Sequence, residues 1–498
     1  MSAARRAGSN NHFILRVTLF PMRFWSSKMN RNNIWIHITI AVVVVTIAAV
    51  LGQINRWEKS LRVGDVKVVD TMSRVSAKHD PAADVLIKFR PGVSLDRIRQ
   101  IASRNNDRLD DEIEAVNGLV SLDDMDDADA SVVAAQYSRM SDIVLYAEVN
   151  GQVSLDDPPD SYSKQDLLER GGVNAKPNDP DFDQQWGQNN TGQDGGKPGA
   201  DIDSLEAWKT TQGSKDVVVA VLDSGVDYKH VDLRSNIWIR PDSVPAYYDD
   251  ELGEFNDEVG YNGVEPLSDP MDDNGHGTHC AGIIGAEGDN DEGIAGINWN
   301  VQVMPLKFLG RGGFGTTADA IKAINYAIDR KKNGVNLRVI NASWGSTQNS
   351  KALEDTIRAA GDAGILFVAA AGNNGTDNDK RPHFPSNYDL PNVLSVAATD
   401  RTDALTSFSN FGIKTVHIAA PGRDIESTWL GDAYRDASGT SMAAPHVAGV
   451  AALILSNEPN LTVAQLRERL LKSVDKLPNM AGKVSSGGRL NAAKALEN

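Results

Sequence analysis

The stretch VVVAVLDSG, Val217 to Gly225, runs six consecutive apolar residues into an abrupt Asp-Ser-Gly. Unbroken apolar character over that length marks a strand covered on both faces, as in a parallel α/β sheet, since a half-exposed strand would alternate. A carboxylate at the mouth of such a strand is costly unless hydrogen-bonded, so Asp223 needs a partner such as an imidazole N–H. In sheets of this kind function gathers at the carboxyl ends of the strands.

Working outward, similar short apolar runs recur at Gln302–Leu306, Arg338–Ala342, Ile365–Ala370 and Val393–Ala397. Helical patterns lie near Thr317–Arg330, Lys351–Ala363, Thr440–Leu455 and Val463–Lys472. The alternation predicts one α/β domain over 178–498, a mostly parallel sheet with helices on both faces. Upstream, Asp84–Phe89 is closed by Pro91-Gly92, Ser94 can cap a helix through about Ser103, Gly118–Leu122 alternates, Ala130–Met140 is helical and Ile143–Val149 is extended. Residues 84–150 therefore form a small α+β unit, and the Pro- and Gly-containing 151–177 read as a linker.

The chain of 498 residues has 67 acidic against 50 basic side chains and a net charge of -17, which argues against a nucleic-acid partner. Its one cysteine, Cys280, excludes an internal disulfide, so packing, metal or both must stabilise an exported protein. Export is expected because Ile34–Ile54 is long and apolar enough to cross a bilayer, and Arg5, Arg6, Arg16, Arg23, Lys28 and Arg31 precede it. Residues 1–33 are then a cytoplasmic leader, 34–54 a cleaved signal peptide or a retained signal anchor, and 55–83 a spacer; Met1, Met22 and Met29 are all possible starts.

Three further pieces complete a constellation. NGHGTHCAG (274–282) sets His276, His279 and Cys280 at the start of an apolar helix; GTSMAAPHVAG (439–449) places Ser441 at another helix start; AAAGNNG (369–375) puts Asn373 just past a strand. A thiol nucleophile and a zinc site are both conceivable for the first piece, but no further His or Cys cluster completes a zinc site. A serine hydroxyl needs a base to take its proton, the base needs an orienting acid, and the oxyanion needs fixed donors. Pro445 is expected in or near the first helical turn, where a missing N–H costs little.

Asp223 in DSG, His276 in HGTH, Asn373 in GNNG and Ser441 in GTSMAAP, in that order, resemble the signature blocks of the subtilisin family of serine proteases, in its thermitase and proteinase K branch. The resemblance covers about 178–495, and 84–150 resembles the family's inhibitory propeptide, whose Glu148-Val149-Asn150 tail is expected to reach the active-site cleft as a product-like strand. It implies that His276 is the general base, Asp223 fixes its tautomer, Ser441 attacks, and Asn373 with the Ser441 backbone N–H holds the oxyanion. Cys280 is then a small buried neighbour of the base, and His279 and His446 are structural hydrogen-bonders.

The resemblance also implies structural calcium. Asp179 in NDPDF, Asp232, and the loop AEGDNDEGI (286–294) would supply the Asp179 and Asp232 carboxylates, Asn290, and the carbonyls of Glu287, Glu292 and Ile294. A second acidic tract, Tyr247 to Asp273, departs from the Asp-x-Asp-x-Asp-Gly insert of many relatives and is a weaker calcium candidate. Ser343-Trp344-Gly345 resembles the edge that pairs with an extended peptide substrate. The absence of an acid in Ser346–Asn349 argues against dibasic specificity, so an apolar or aromatic residue before the scissile bond is expected. The whole reads as a secreted or membrane-anchored endopeptidase acting on proteins or peptides and made as an autoprocessed zymogen inhibited by its own propeptide. A processing enzyme with one target is the alternative; a non-catalytic binding module is disfavoured because no catalytic residue is missing.

Overall fold

The computed structural model describes residues 84–156, 176–249, 253–255, 257–265 and 269–497. The leader, the apolar segment 34–54, the spacer and residues 157–175 of the linker lie outside them. Among the described residues no helix is long and apolar enough to cross a membrane.

The N-terminal unit contains β1 (Val85–Phe89), α1 (Leu95–Arg104), β2 (Asp107–Glu112), β3 (Leu119–Asp124), α2 (Ala130–Ser138) and β4 (Val144–Val149). Its antiparallel sheet has the order β2-β3-β1-β4. Ser94 caps α1 as its sequence position suggests, accepting from the Arg97 N–H at 3.3 Å. Strand pleating splits β1 between two cores. Val85, Ile87 and Phe89 pack with Ile98, Ile101, Val133 and Tyr137, while Leu86 joins Val116 and Leu119 against the following domain.

After β5 (Gln152–Ser154) and the short α3 (Ser204–Ala207) comes the large domain. In chain order it carries β6 (Gly213–Asp223), a small hairpin of β7 (Tyr248–Asp249) and β8 (Gly253–Glu254), β9 (Tyr261–Asn262), α4 (His276–Gly285), β10 (Asn300–Lys307), β11 (Phe314–Thr316) and α5 (Thr317–Lys332). There follow β12 (Leu337–Ala342), α6 (Lys351–Asp362), β13 (Leu366–Ala370), β14 (Val393–Thr399) and β15 (Ile418–Pro421). The hairpin β16 (Ile425–Trp429) and β17 (Ala433–Ala437), α7 (Thr440–Asn457), α8 (Val463–Lys472), β18 (Asp475–Lys476), β19 (Gly488–Arg489) and α9 (Ala492–Leu496) complete it.

The nine-stranded sheet has the order β18-β19-β15-β14-β13-β12-β6-β10-β9, parallel except where β18 meets β19. In β6, Val217, Val219 and Val221 face a core shared with α4 and α7, whereas Val218, Ala220 and Leu222 face the core of α5 and α6. Both faces are thus covered, which is why the strand is apolar at every position. The chain leaves β6 for β10 on one side and returns to β12 on the other. That reversal opens a crevice at the carboxyl end of β6, where Asp223 stands.

Candidate active site

Asp223 is fully buried and has two donors. Its Oδ1 accepts the Ser224 N–H at 2.7 Å, and His276 Nδ1 lies 2.8 and 3.0 Å from Oδ1 and Oδ2. The Nδ1–H bond fixes the imidazole so that Nε2 is the nitrogen turned away from the carboxylate. Gly277 lets α4 approach β6 this closely: a Cβ there would stand 2.0 Å from the Gly225 carbonyl oxygen. The loop before α4 is fastened by Asp272, whose Oδ1 accepts from Ser224 Oγ and the N–H groups of Asn274 and Gly275, and whose Oδ2 accepts from Thr278 N–H and Oγ1. No carboxylate oxygen of Asp272 is left for a cation. Asp272 belongs to the second acidic tract.

Ser441 lies in the first turn of α7, a helix apolar all round and buried from Thr440 to Leu455. Its Oγ donates to the Ser343 carbonyl at 3.2 Å. Pro445 sits in the second turn, not the first, and its place has a consequence. It removes the N–H that would bond the Ser441 carbonyl four residues earlier. That carbonyl instead accepts from Ser343 Oγ at 2.7 Å and Cys280 Sγ at 3.5 Å, tying the serine's backbone to β12's end and to α4.

Asn373 follows β13 and is oriented by Thr440, whose N–H and Oγ1 donate to its Oδ1 at 2.8 and 3.0 Å. Its amide N–H is thereby turned outward, and it donates to the carbonyl of Asp156. The chain's own segment lies in the crevice. β5 pairs antiparallel with β11, Ser154 exchanges backbone hydrogen bonds with Gly345 at 3.4 and 3.1 Å, and the Leu155 N–H reaches the Gly313 carbonyl at 3.0 Å. Of the three residues expected to form the edge, Gly345 pairs with this strand. Ser343 serves Ser441, and the Trp344 side chain is buried against Phe308.

Two expectations are corrected here. Residues 148–150, expected to enter the cleft, cap helices instead: Glu148 accepts from Ser350 Oγ and the N–H groups of Lys351 and Ala352 at the start of α6, and Asn150 Oδ1 accepts the Ala318 N–H of α5. Residues 151–156, read as linker, are the strand in the cleft. Sequence reasoning also missed the second wall, β11, and His383, whose Nε2 lies 2.5 Å from Asp156 Oδ2.

His279 and His446 are not bases. Burial pushes their pKa values down to about 3 and about 4, so both are neutral near pH 7. His279 Nε2 bonds the carbonyls of Ile425 and Arg435, and His446 Nδ1 bonds that of Met442. Among the described residues, Asp223, His276 and Cys280 are the group of three whose ligand atoms converge, and His279 is absent from it, as a zinc set of His276, His279 and Cys280 would not allow.

Asp179 and Asp232 are buried, and burial pushes their carboxyls up to about 6 and about 7. Asp232 accepts from the Asn290 amide at 2.9 Å and the Ile294 N–H at 3.0 Å; Asp179 Oδ2 accepts the Asp289 N–H at 2.8 Å, and Asp179 Oδ1 has no hydrogen-bond partner. Two buried carboxylates with an oxygen to spare suit a hard cation. The Glu287 side chain accepts from Ser235 Oγ at 2.5 Å while its N–H donates to the Asp232 carbonyl at 2.8 Å, and Asn290 Oδ1 takes the Glu292 N–H.

Fold and crevice together define a serine peptidase. A model of the subtilase family matches residues 214–488, more than half of the chain, and the chain belongs to that family as a serine endopeptidase. It is 38% identical over 316 residues to a thermophilic serine proteinase of Bacillus sp. (strain AK1), covering 63% of this chain and 70% of that protein. Thermitase of Thermoactinomyces vulgaris is 34% identical over 322 residues, 64% of this chain and 99% of thermitase. A subtilisin-like protease 2 of Plasmodium falciparum is 41% identical over 49% of this chain but only 17% of its own length. Among solved structures, a protease of Pseudoalteromonas arctica PAMC 21717 superposes with a TM-score of 0.52 at 31% identity, over 65% of this chain and 99% of that one.

Proposed function

We propose that the chain is a zymogen that cuts itself after Asp156 and is then held by its own residues 84–156 as a product inhibitor. The observation that carries this is the Asn373 amide donating to the Asp156 carbonyl, with Ser441 on the adjacent turn. Ser441 turns its O–H from the Ser343 carbonyl toward His276 Nε2, gives up the proton and attacks the Asp156 carbonyl carbon. Charge developing on the carbonyl oxygen is held by Asn373 Nδ2 and by the N–H groups at the start of α7, whose dipole favours it. The Asp156–Asp157 C–N bond then breaks as His276 hands its proton to the leaving amine, and water hydrolyses the ester by the same path reversed. Asp223 holds the imidazole's tautomer throughout.

Peptide and protein substrates would follow the same track between β11 and Gly345, read through backbone hydrogen bonds. Calcium held by Asp179 and Asp232 would supply stability rather than chemistry, since neither belongs to the crevice. The basic leader before 34–54 supports export, with that segment either removed or kept as an anchor. Ser441→Ala in the full-length chain tests the reading: it should abolish peptide hydrolysis and leave the precursor uncut. Near wild-type hydrolysis by that variant would sink the assignment.

A further inference from the structure

We propose that this enzyme selects an acidic residue before the scissile bond, and that His383 is the residue that selects it. The proposal rests on the cleft reading above, because it takes Asp156 as the residue whose carbonyl is attacked. With that carbonyl at Asn373, the Asp156 side chain meets the imidazole of His383, Nε2 to Oδ2 at 2.5 Å. Both side chains are largely withdrawn from water, 4% exposed for His383 and 19% for Asp156.

The ring has no freedom to leave. It is clamped between two glycines: a Cβ added at Gly345 would come within 2.0 Å of it, and one at Gly372 within 2.9 Å. Ser386 Oγ lies 2.8 Å from the His383 carbonyl and 3.3 Å from His383 Nδ1, which holds the far side of the ring. The Nε2 contact with a carboxylate calls for a hydrogen on Nε2. The pocket floor is an imidazole N–H aimed at a carboxylate, a charge-assisted hydrogen bond in a screened site.

A carboxamide before the scissile bond would lose the charge, and an aliphatic side chain would leave the ring's inward N–H without a partner; a site built to hydrogen-bond one group rejects the analogue that lacks it. The apolar or aromatic preference expected from sequence is thus replaced by a preference for aspartate. The self-cleavage segment Gln152-Val153-Ser154-Leu155-Asp156 is itself such a substrate.

The test uses the processed enzyme and three peptides that carry Gln-Val-Ser-Leu before a variable residue, Asp, Asn or Leu, followed by the same leaving group. The Asp peptide should exceed the other two in kcat/KM by about 100-fold, and His383→Gln should erase most of that ratio. Because the ratio is taken within one preparation, loss of folded protein cancels from it. In the full-length chain, Asp156→Leu should slow maturation without stopping it. A wild-type enzyme that cuts the Leu peptide as well as the Asp peptide, or a His383→Gln ratio equal to wild type, overturns the proposal while leaving Ser441 as nucleophile intact. Failure to cut any of the three overturns the catalytic reading, and this one with it.

Discussion

Residues 84–156, the proposed pro-segment, meet the catalytic domain in two ways. Residues 84–150 dock as a folded unit: Leu86, Val116 and Leu119 enter the core of α5 and α6, and Glu148 and Asn150 close the N-termini of those helices. Residues 152–156 add only Val153 and the partly buried Leu155 to that core. They hold chiefly by backbone hydrogen bonds to β11 and Gly345 and by Asp156, whose carbonyl and carboxylate meet Asn373 and His383. In the proposed self-cleavage the first contact contains nothing to cut and would outlast the reaction; the second contains the bond itself. Affinity and chemistry are therefore separable, and substitutions should affect one without the other.

The largest expected effect falls on the chemistry. Asn373→Ala should lower turnover roughly 100- to 1,000-fold and slow self-cleavage alike, while the affinity of the isolated pro-segment for the mature enzyme changes far less. Steady-state kinetics beside inhibitor titration would measure both; an equal loss in each would merge the two contacts. Glu148→Ala should do the converse. It removes a charged acceptor from two backbone N–H groups and a hydroxyl, so inhibition in trans should weaken roughly 10- to 100-fold with kcat on peptides unmoved. Val132→Ala, at a position 59% exposed on α2, should leave inhibition as it was. Smallest of all for this comparison is calcium. Chelation should lower the melting temperature of the mature domain by roughly 5 °C and speed autolysis, yet shift neither contact, since Asp179 and Asp232 belong to neither. Identical melting curves with calcium and with chelator would remove the site.

Much of this was legible in the sequence where one chain segment carries its own reason. The apolar runs of β6, β10, β12, β13 and β14 are continuous because both sheet faces are covered, and α1, α5 and α6 begin at residues that cap them. Other parts take their reason from elsewhere. In β2, DRLDDE has Leu109 as its single apolar residue; it is a strand because β3 pairs with it and because Tyr137 donates to buried Asp107. β5 resembles a linker, between Gly151 and Asp-Asp-Pro-Pro, and its partners lie far along the chain at β11 and Gly345. His383 stands in RPHFPSN with no spacing that points to a pocket. The β16–β17 hairpin did leave a signal, Gly431-Asp432, both at positive φ. Its strands supply the carbonyls that hold the His279 ring in place, while burial keeps it neutral.

Self-cleavage after Asp156 is tested most directly by sequencing the N-terminus of the mature enzyme released from the full-length wild-type chain, with the intact mass of the pro-fragment. The expected result is Asp157 as the new first residue and a fragment ending at Asp156, with neither product formed by Ser441→Ala. A mature N-terminus elsewhere, such as after Asn150, or the same cut in Ser441→Ala, would contradict it.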